Sequence, residues 1–243
     1  MNLDEAFEPG GVVAVVGAGG KKSTLYALAA ELNRAVLTAT VRIPPFEGHV
    51  SRLVVTDSPT DALESNDRWP IGLVPGRDGD RDRYLGYDTE TVDRIAAATD
   101  APVLVKADGA RRRLFKAPAD DEPQVPTSAS VVVPVASVKA VGEPLDEETV
   151  HRPERVAGLT GRAVGEPIRA GDLVTVLTHD DGGLKGVPSS ARVTPLLNMV
   201  DDASLESTAR GIADDLLEHP RIDRVVLGRM DLRRVVDVIR ART

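Results

Sequence analysis

Cysteine is absent from the 243-residue sequence. That excludes disulfides, thiolate metal sites and a cysteine nucleophile. Aromatic residues make up only 3%, too few for a row of base-stacking platforms. Lysine is scarce as well, occurring only at 21, 22, 106, 116, 139 and 185. No apolar run approaches the roughly 18 residues of a membrane span, and the first residues lack the basic-then-apolar pattern of a leader. The expectation is therefore a cytoplasmic location and no membrane partner. A formal net charge of -8 opposes nucleic acid as a partner, because its backbone calls for a basic surface. An acidic, lysine-poor chain with many arginines fits a halophilic protein, whose carboxylates hold surface water; codon bias towards arginine explains the same composition. Where lysine has otherwise been avoided, each retained lysine is a functional candidate.

Apolar residues make up 42% of the chain, enough for a sizeable core. A β-branched run at residues 12–16 leads into Gly17-Ala18-Gly19-Gly20, and apolar periodicity follows at Leu25, Leu28, Ala29 and Leu32. That order reads as strand, glycine loop, helix, with a second strand at 35–38. Strands are also expected at 53–56, 71–74, 102–107, 130–136, 193–197 and 224–227, and helices at 89–99, 205–217 and 232–239. Residues 145–177 read as mostly helical with a break near 158–167. Alternating strands and helices imply an α/β fold with a mostly parallel sheet covered on both faces. The whole chain, 1–243, reads as one nucleotide-binding domain, with residues 140–190 a candidate helical subdomain. Chemistry in such a fold gathers at the carboxyl ends of strands, here the loops after Val16, Thr38, Ala107, Leu197 and Leu227.

The sequence Gly17-Ala18-Gly19-Gly20-Lys21-Lys22-Ser23-Thr24 sits at a strand-to-helix junction. Glycines let successive N–H groups turn towards an anion, and the helix points its unpaired N–H groups at the same place. The match to G-x-x-x-x-G-K-[ST] is imperfect, because counting from Gly17 the loop is short. In one register Lys21 reaches the β- and γ-phosphates of ATP or GTP, and Ser23 or Thr24 serves Mg²⁺. A register shifted by one makes Lys22 the phosphate lysine and Ser23 the Mg²⁺ ligand. The first is preferred.

A buried strand ending at Ala107 delivers Asp108 to the same edge, where a carboxylate can hold Mg²⁺ opposite the loop. A turn-capping Asp would occupy such a position too. Arg111, Arg112, Arg113 and Lys116 follow, cations suited to phosphate or another anion. Thr38 and Thr40 end a strand and could bond phosphate or the metal's waters, although Thr is also an ordinary strand residue. His49, His151, His179 and His219 are too scattered for a zinc site. His179-Asp180-Asp181 reads as a polar turn, and Lys185 as a loop residue facing solvent or an anion.

Taken together, the glycine loop, Thr38-Ala39-Thr40 and Ala107-Asp108-Gly109-Ala110-Arg111-Arg112 resemble the YqeC family of selenium-dependent hydroxylase accessory proteins. Lys116-Ala117-Pro118-Ala119, Asp121-Glu122-Pro123, His151-Arg152-Pro153-Glu154, Leu184-Lys185-Gly186-Val187-Pro188 and Leu197-Asn198 extend the likeness in order along the chain. The resemblance implies a P-loop NTPase-like three-layer fold and a role in maturing a molybdenum hydroxylase, with that enzyme or its cofactor precursor as partner. Three positions depart from the family pattern: Lys106 stands where Glu is usual, Lys22 where Thr is usual, and Met199 where Lys is usual. The last falls in Asn198-Met199-Val200-Asp201, an N-K-x-D-like element that in GTPases reads guanine.

The leading functional expectation is a Mg²⁺-dependent NTP-binding protein with slow hydrolysis. Asp108 and Ser23 would hold the metal, Lys21 the phosphates, and Arg111 or Arg112 the transition-state charge. A small-molecule kinase or nucleotidyltransferase, and a non-catalytic carrier of an anionic cofactor precursor, are the alternatives.

Overall fold

The computed structural model describes residues 1–241; the last two residues of the expected domain lie outside it. The strands are β1 (Val12–Gly17), β2 (Val36–Ala39), β3 (Arg52–Val55), β4 (Ile71–Val74), β5 (Arg77–Asp78), β6 (Arg83–Tyr84) and β7 (Val103–Lys106). They continue as β8 (Phe115–Lys116), β9 (Ala129–Ser137), β10 (Val150–His151), β11 (Arg192–Val193), β12 (Leu196–Asn198), β13 (Arg224–Arg229) and β14 (Arg234–Arg240). Among the described residues the helices are α1 (Leu3–Phe7), α2 (Lys21–Leu32), α3 (Pro59–Glu64), α4 (Thr89–Ala97), α5 (Pro153–Thr160), α6 (Ala170–Thr178) and α7 (Ala203–Leu216).

The main sheet runs β14-β13-β12-β9-β1-β7-β2-β4-β3, with β11 also paired to β9. Every pairing in it is parallel except β13 with β14. Central strands are apolar on both faces because both are covered. Along β9, Val131, Val133 and Val135 join α1 and α2 in one core. Val132 and Ala136 face the opposite side, over α3 and α4 at one end and α5, α6 and α7 at the other. The result is the expected three-layer α/β architecture. Residues 140–190 contribute α5 and α6, whose apolar side chains share a core with α7 and with Leu197 and Leu227 of the sheet.

The chain closes differently from the expected helix at 232–239. After a 3₁₀ turn, and with Arg233 at φ 53°, it returns as the antiparallel edge strand β14. A bulge opposite Leu227 and Gly228 leaves Val236 unpaired, so Val235 and Val238 share one face while Val236 and Ile239 share the other. That spacing imitates a helical period, but four β-branched residues favour the strand. Two short helices, α1 and α3, were not anticipated. Asn2 caps α1 by accepting from the Glu5 N–H at 2.7 Å.

Candidate functional site

Five parallel strands, β1, β2, β7, β12 and β13, bring their carboxyl ends to one edge, where the glycine loop lies between β1 and α2. Gly17 has φ 88°, and a Cβ there would fall 2.3 Å from the Val135 carbonyl oxygen. At Gly20, φ 137°, it would fall 2.0 Å from Asn198 Nδ2. The loop is therefore glycine-rich partly because β9 and β12 press against its back. Its earlier N–H groups are spent internally: Gly17 donates to Asp108 Oδ2 at 2.8 Å, Ala18 to the Val135 carbonyl and Gly19 to the Arg113 carbonyl, both at 2.9 Å. Gly20 caps α2 without a side-chain bond. The first-turn N–H groups of Lys21, Lys22 and Ser23 thus have no intrahelical acceptor and form an anion-ready helix end.

Asp108 is 1% exposed. Its Oδ1 lies 2.7 Å from Lys21 Nζ, as an ion pair rather than an aligned hydrogen bond, and its Oδ2 lies 2.9 Å from Lys116 Nζ. Lys21 also donates to the Gly17 carbonyl. Lys116 donates to the Gly109 carbonyl and to Glu122 Oε2, both at 2.7 Å, and Arg152 reaches the same Oε2 at 2.8 Å. Lys106 Nζ donates to the carbonyls of Asp108 at 2.7 Å and Arg42 at 2.9 Å. The edge thus carries an alternating ionic chain, Lys21–Asp108–Lys116–Glu122–Arg152, with Lys106 alongside.

Burial works to raise the Asp108 pKa, but Lys21 and Lys116 outweigh it and hold the carboxyl below its usual range. Burial lowers Lys21, although Asp108 opposes the shift. Lys106 falls to about 7, through burial and then the neighbouring Lys21 charge. Glu122 falls to about 2, because Arg152 and Lys116 overcome its burial. His151 falls to about 4 through burial, Arg152 and Lys116.

In front of the loop opens a cleft of about 640 Å³, within the range of roughly 300–1,000 Å³ common for small-molecule sites. Lys21, Lys22, Ser23, Lys106, Arg111, Arg112 and Arg113 line it, together with Arg42, Arg81 and Arg83. Among the described residues, nine cationic side chains line this cleft against one carboxylate, Asp82, in a chain of net charge -8. Arg111 and Arg112 hold left-handed backbone conformations, φ 45° and 64°. Such non-glycine geometry costs of order 1–2 kcal/mol per residue. The turn persists because the Arg113 carbonyl is clamped to the Gly19 N–H.

The structure gathers Gly19, Gly20, Lys21, Lys22, Ser23, Arg111 and Arg112 around one cleft. Other expected contacts are engaged elsewhere. Thr38 Oγ1 is fully buried and donates to the Leu73 carbonyl at 2.8 Å, and Thr40 Oγ1 donates to the Gln124 carbonyl at 2.7 Å. Thr24 is buried, its hydroxyl bonded back to the Gly20 carbonyl at 3.1 Å, so of the two hydroxyls only Ser23 borders the cleft. Asn198 braces the loop: Nδ2 donates to the Gly19 carbonyl at 2.7 Å, and Oδ1 accepts from the Met230 N–H at 3.0 Å. Asp201 is paired through both oxygens, to Lys139 and to Arg229, the latter at 2.9 Å. Neither is free to read a base in this arrangement, whereas Met199 borders the cleft.

The expected Mg²⁺ does not meet a fitting donor set. Both Asp108 oxygens are taken by ammonium groups, and the residue after Lys21 is a lysine. Among the described residues no group of three or more His, Cys, Asp or Glu could hold a metal. The His179-Asp180-Asp181 segment is a polar turn, the Asp181 N–H donating to His179 Nδ1 at 2.9 Å.

The clearest omission from the expected site is Glu122, brought there by its ion pairs to Lys116 and Arg152. The scarcity of lysine did mark Lys106 and Lys116, since four of the six lysines, Lys21, Lys22, Lys106 and Lys116, meet at this edge.

The model of the family described as YqeC protein matches residues 13–154, more than half of the chain. The chain belongs to the YqeC family. A YqeC relative in Escherichia coli (strain K12), described as an uncharacterized protein, is 28% identical over 226 residues, covering 89% of this chain and 86% of the relative. No solved structure matches. The YqeC match contains the glycine loop, Asp108, the arginine turn, Lys116, Glu122 and Arg152, whereas Asn198 and Asp201 lie beyond it. No helix among the described residues is long and apolar enough to cross a membrane.

Proposed function

We propose that this YqeC protein binds a nucleoside triphosphate in the cleft between the glycine loop and the arginine turn. One observation carries the reading: an uncapped helix end bearing Lys21 and Lys22 opens onto a cleft with nine cations and one carboxylate. In that pose the first-turn N–H groups and Lys21 take the β- and γ-phosphates. Arg111 and Arg112 offset charge that develops on the transferring phosphoryl group. Asp201 is already paired, which supports acceptance of either ATP or GTP.

Basal hydrolysis is slow in this reading. Asp108 and Glu122 are both bound by cations and held below the usual carboxylate range, so neither is suited to take a proton from water near neutral pH. Slow turnover, of order 10⁻⁴ to 10⁻² per second, suits a switch that responds to a partner. The family resemblance supplies the context we propose for it: maturation of a selenium-dependent molybdenum hydroxylase, with that enzyme or its cofactor precursor as the partner.

The further cations Arg42, Arg81 and Arg83 favour a second reading, phosphoryl or nucleotidyl transfer to a small anionic acceptor. Equilibrium dialysis with ATP and GTP, followed by assay of phosphate and pyrophosphate release, tests the proposal. Saturable binding with slow phosphate release supports it. No binding at millimolar nucleotide overturns it, and pyrophosphate release or labelled acceptor favours transfer.

A further inference from the structure

We propose that the cleft neutralises its triphosphate with its own lysine and arginine side chains, in place of a divalent cation. This inference rests on the reading of the cleft as a triphosphate site. A magnesium ion in a phosphate site is normally held by one or two carboxylates, a loop hydroxyl and the phosphates themselves. Of that set, Ser23 is the loop hydroxyl that still borders the cleft, and the carboxylate and the position after the phosphate lysine are altered. The only buried carboxylate at the edge, Asp108, has an ammonium group within 3 Å of each oxygen. If Lys21 turned towards a phosphate, Oδ1 would be released, but Oδ2 would still be held by Lys116 and the Gly17 N–H, and Lys116 is itself fixed by Glu122 and the Gly109 carbonyl.

The hydroxyl position next to the phosphate lysine carries Lys22, whose side chain borders the cleft. A third ammonium group, Lys106, lines the cleft and donates to the carbonyl of Asp108 itself. Among the described residues the one carboxylate lining the cleft, Asp82, is exposed and lies 3.7 Å from Arg77.

Helix energetics point the same way. Two lysines occupy the positive end of α2, its first turn has no acidic residue, and no side chain caps it. Asp108 offsets Lys21, so Lys22 is the cation whose placement opposes the helix dipole, and it is unfavourable unless a further anion sits there. Local rules broken together at one spot mark a functional site. A dication would add to this excess charge, whereas a metal-free triphosphate compensates it.

The test is titration calorimetry with ATP at fixed ionic strength, once in excess EDTA and once in saturating Mg²⁺, on wild type and Lys22→Thr. The expected result is equal or tighter binding in EDTA. Lys22→Thr should lose about tenfold of the metal-free affinity while retaining more of it in Mg²⁺. Binding that appears only with Mg²⁺ overturns this inference and leaves the triphosphate reading intact. Unchanged metal-free affinity in Lys22→Thr also overturns it. Absence of binding under both conditions defeats the triphosphate reading itself.

Discussion

Lys21 Nζ lies 2.7 Å from Asp108 Oδ1, at a sheet edge where both side chains are almost fully buried. Lys116 holds the other oxygen, so one carboxylate serves two ammonium groups. This arrangement makes Asp108 a structural counter-ion as well as part of the site. Asp108→Ala leaves two buried cations without their shared partner and should destabilise the protein by about 3–5 kcal/mol. Urea unfolding in metal-free buffer measures it. A loss below about 1 kcal/mol would contradict the role.

Lys106 gives binding a defined pH dependence. Burial and the Lys21 charge bring its pKa to about 7, so it is partly neutral near that pH. A bound polyanion favours the ammonium form and raises the value, so binding takes up a proton. Affinity should rise as pH falls through about 7 and level off below it. Calorimetry in buffers of different ionisation heat reads the proton directly. Lys106→Met should flatten the profile, and an unchanged profile in that variant would remove Lys106 from the effect.

Asn198 braces the loop instead of reading a base. Asn198→Ala leaves the Gly19 carbonyl and the Met230 N–H unpaired, costing about 1–3 kcal/mol for each buried group. The affinity for any triphosphate should fall, while the ratio of ATP to GTP affinity stays constant in both Asn198→Ala and Asp201→Ala. Competition titrations measure that ratio. A selective loss of GTP would restore the guanine-reading role expected from the Asn198–Asp201 spacing.

The arginine turn stores backbone strain. Arg112→Gly relieves a left-handed residue at φ 64° and removes one cation from the cleft. Stability should stay level or rise by up to about 1 kcal/mol, while triphosphate affinity falls several-fold. Thermal unfolding and titration on the same sample separate the two effects.

Much of the fold was legible because its central strands are continuous apolar runs. Residues 12–16, 71–74 and 102–107 correspond closely to β1, β4 and β7. The strand β14 was not, because the bulge at Val236 gives its apolar residues helical spacing. The glycine loop and Asp108 were readable as a pair, since strand ends in a parallel sheet converge. What the sequence could not reveal was how side chains share partners. Thr38, Thr40, Asn198 and Asp201 have the right chemistry and positions for a ligand, but each is committed to a nearby carbonyl, N–H group or cation. Glu122 acquires its place only through Lys116 and Arg152, which are distant in the chain. The scarcity of lysine pointed to the same edge, where four of the six lysines meet.

Hydrogen exchange with and without ATP addresses the site itself, amide by amide. Protection should appear at residues 20–23, where the first turn of α2 has donors to spare, and across Gly109 to Arg113. It should be lost in Lys21→Ala. Saturating ATP with no change in either segment, or with protection confined to another part of the fold, would contradict the proposed site.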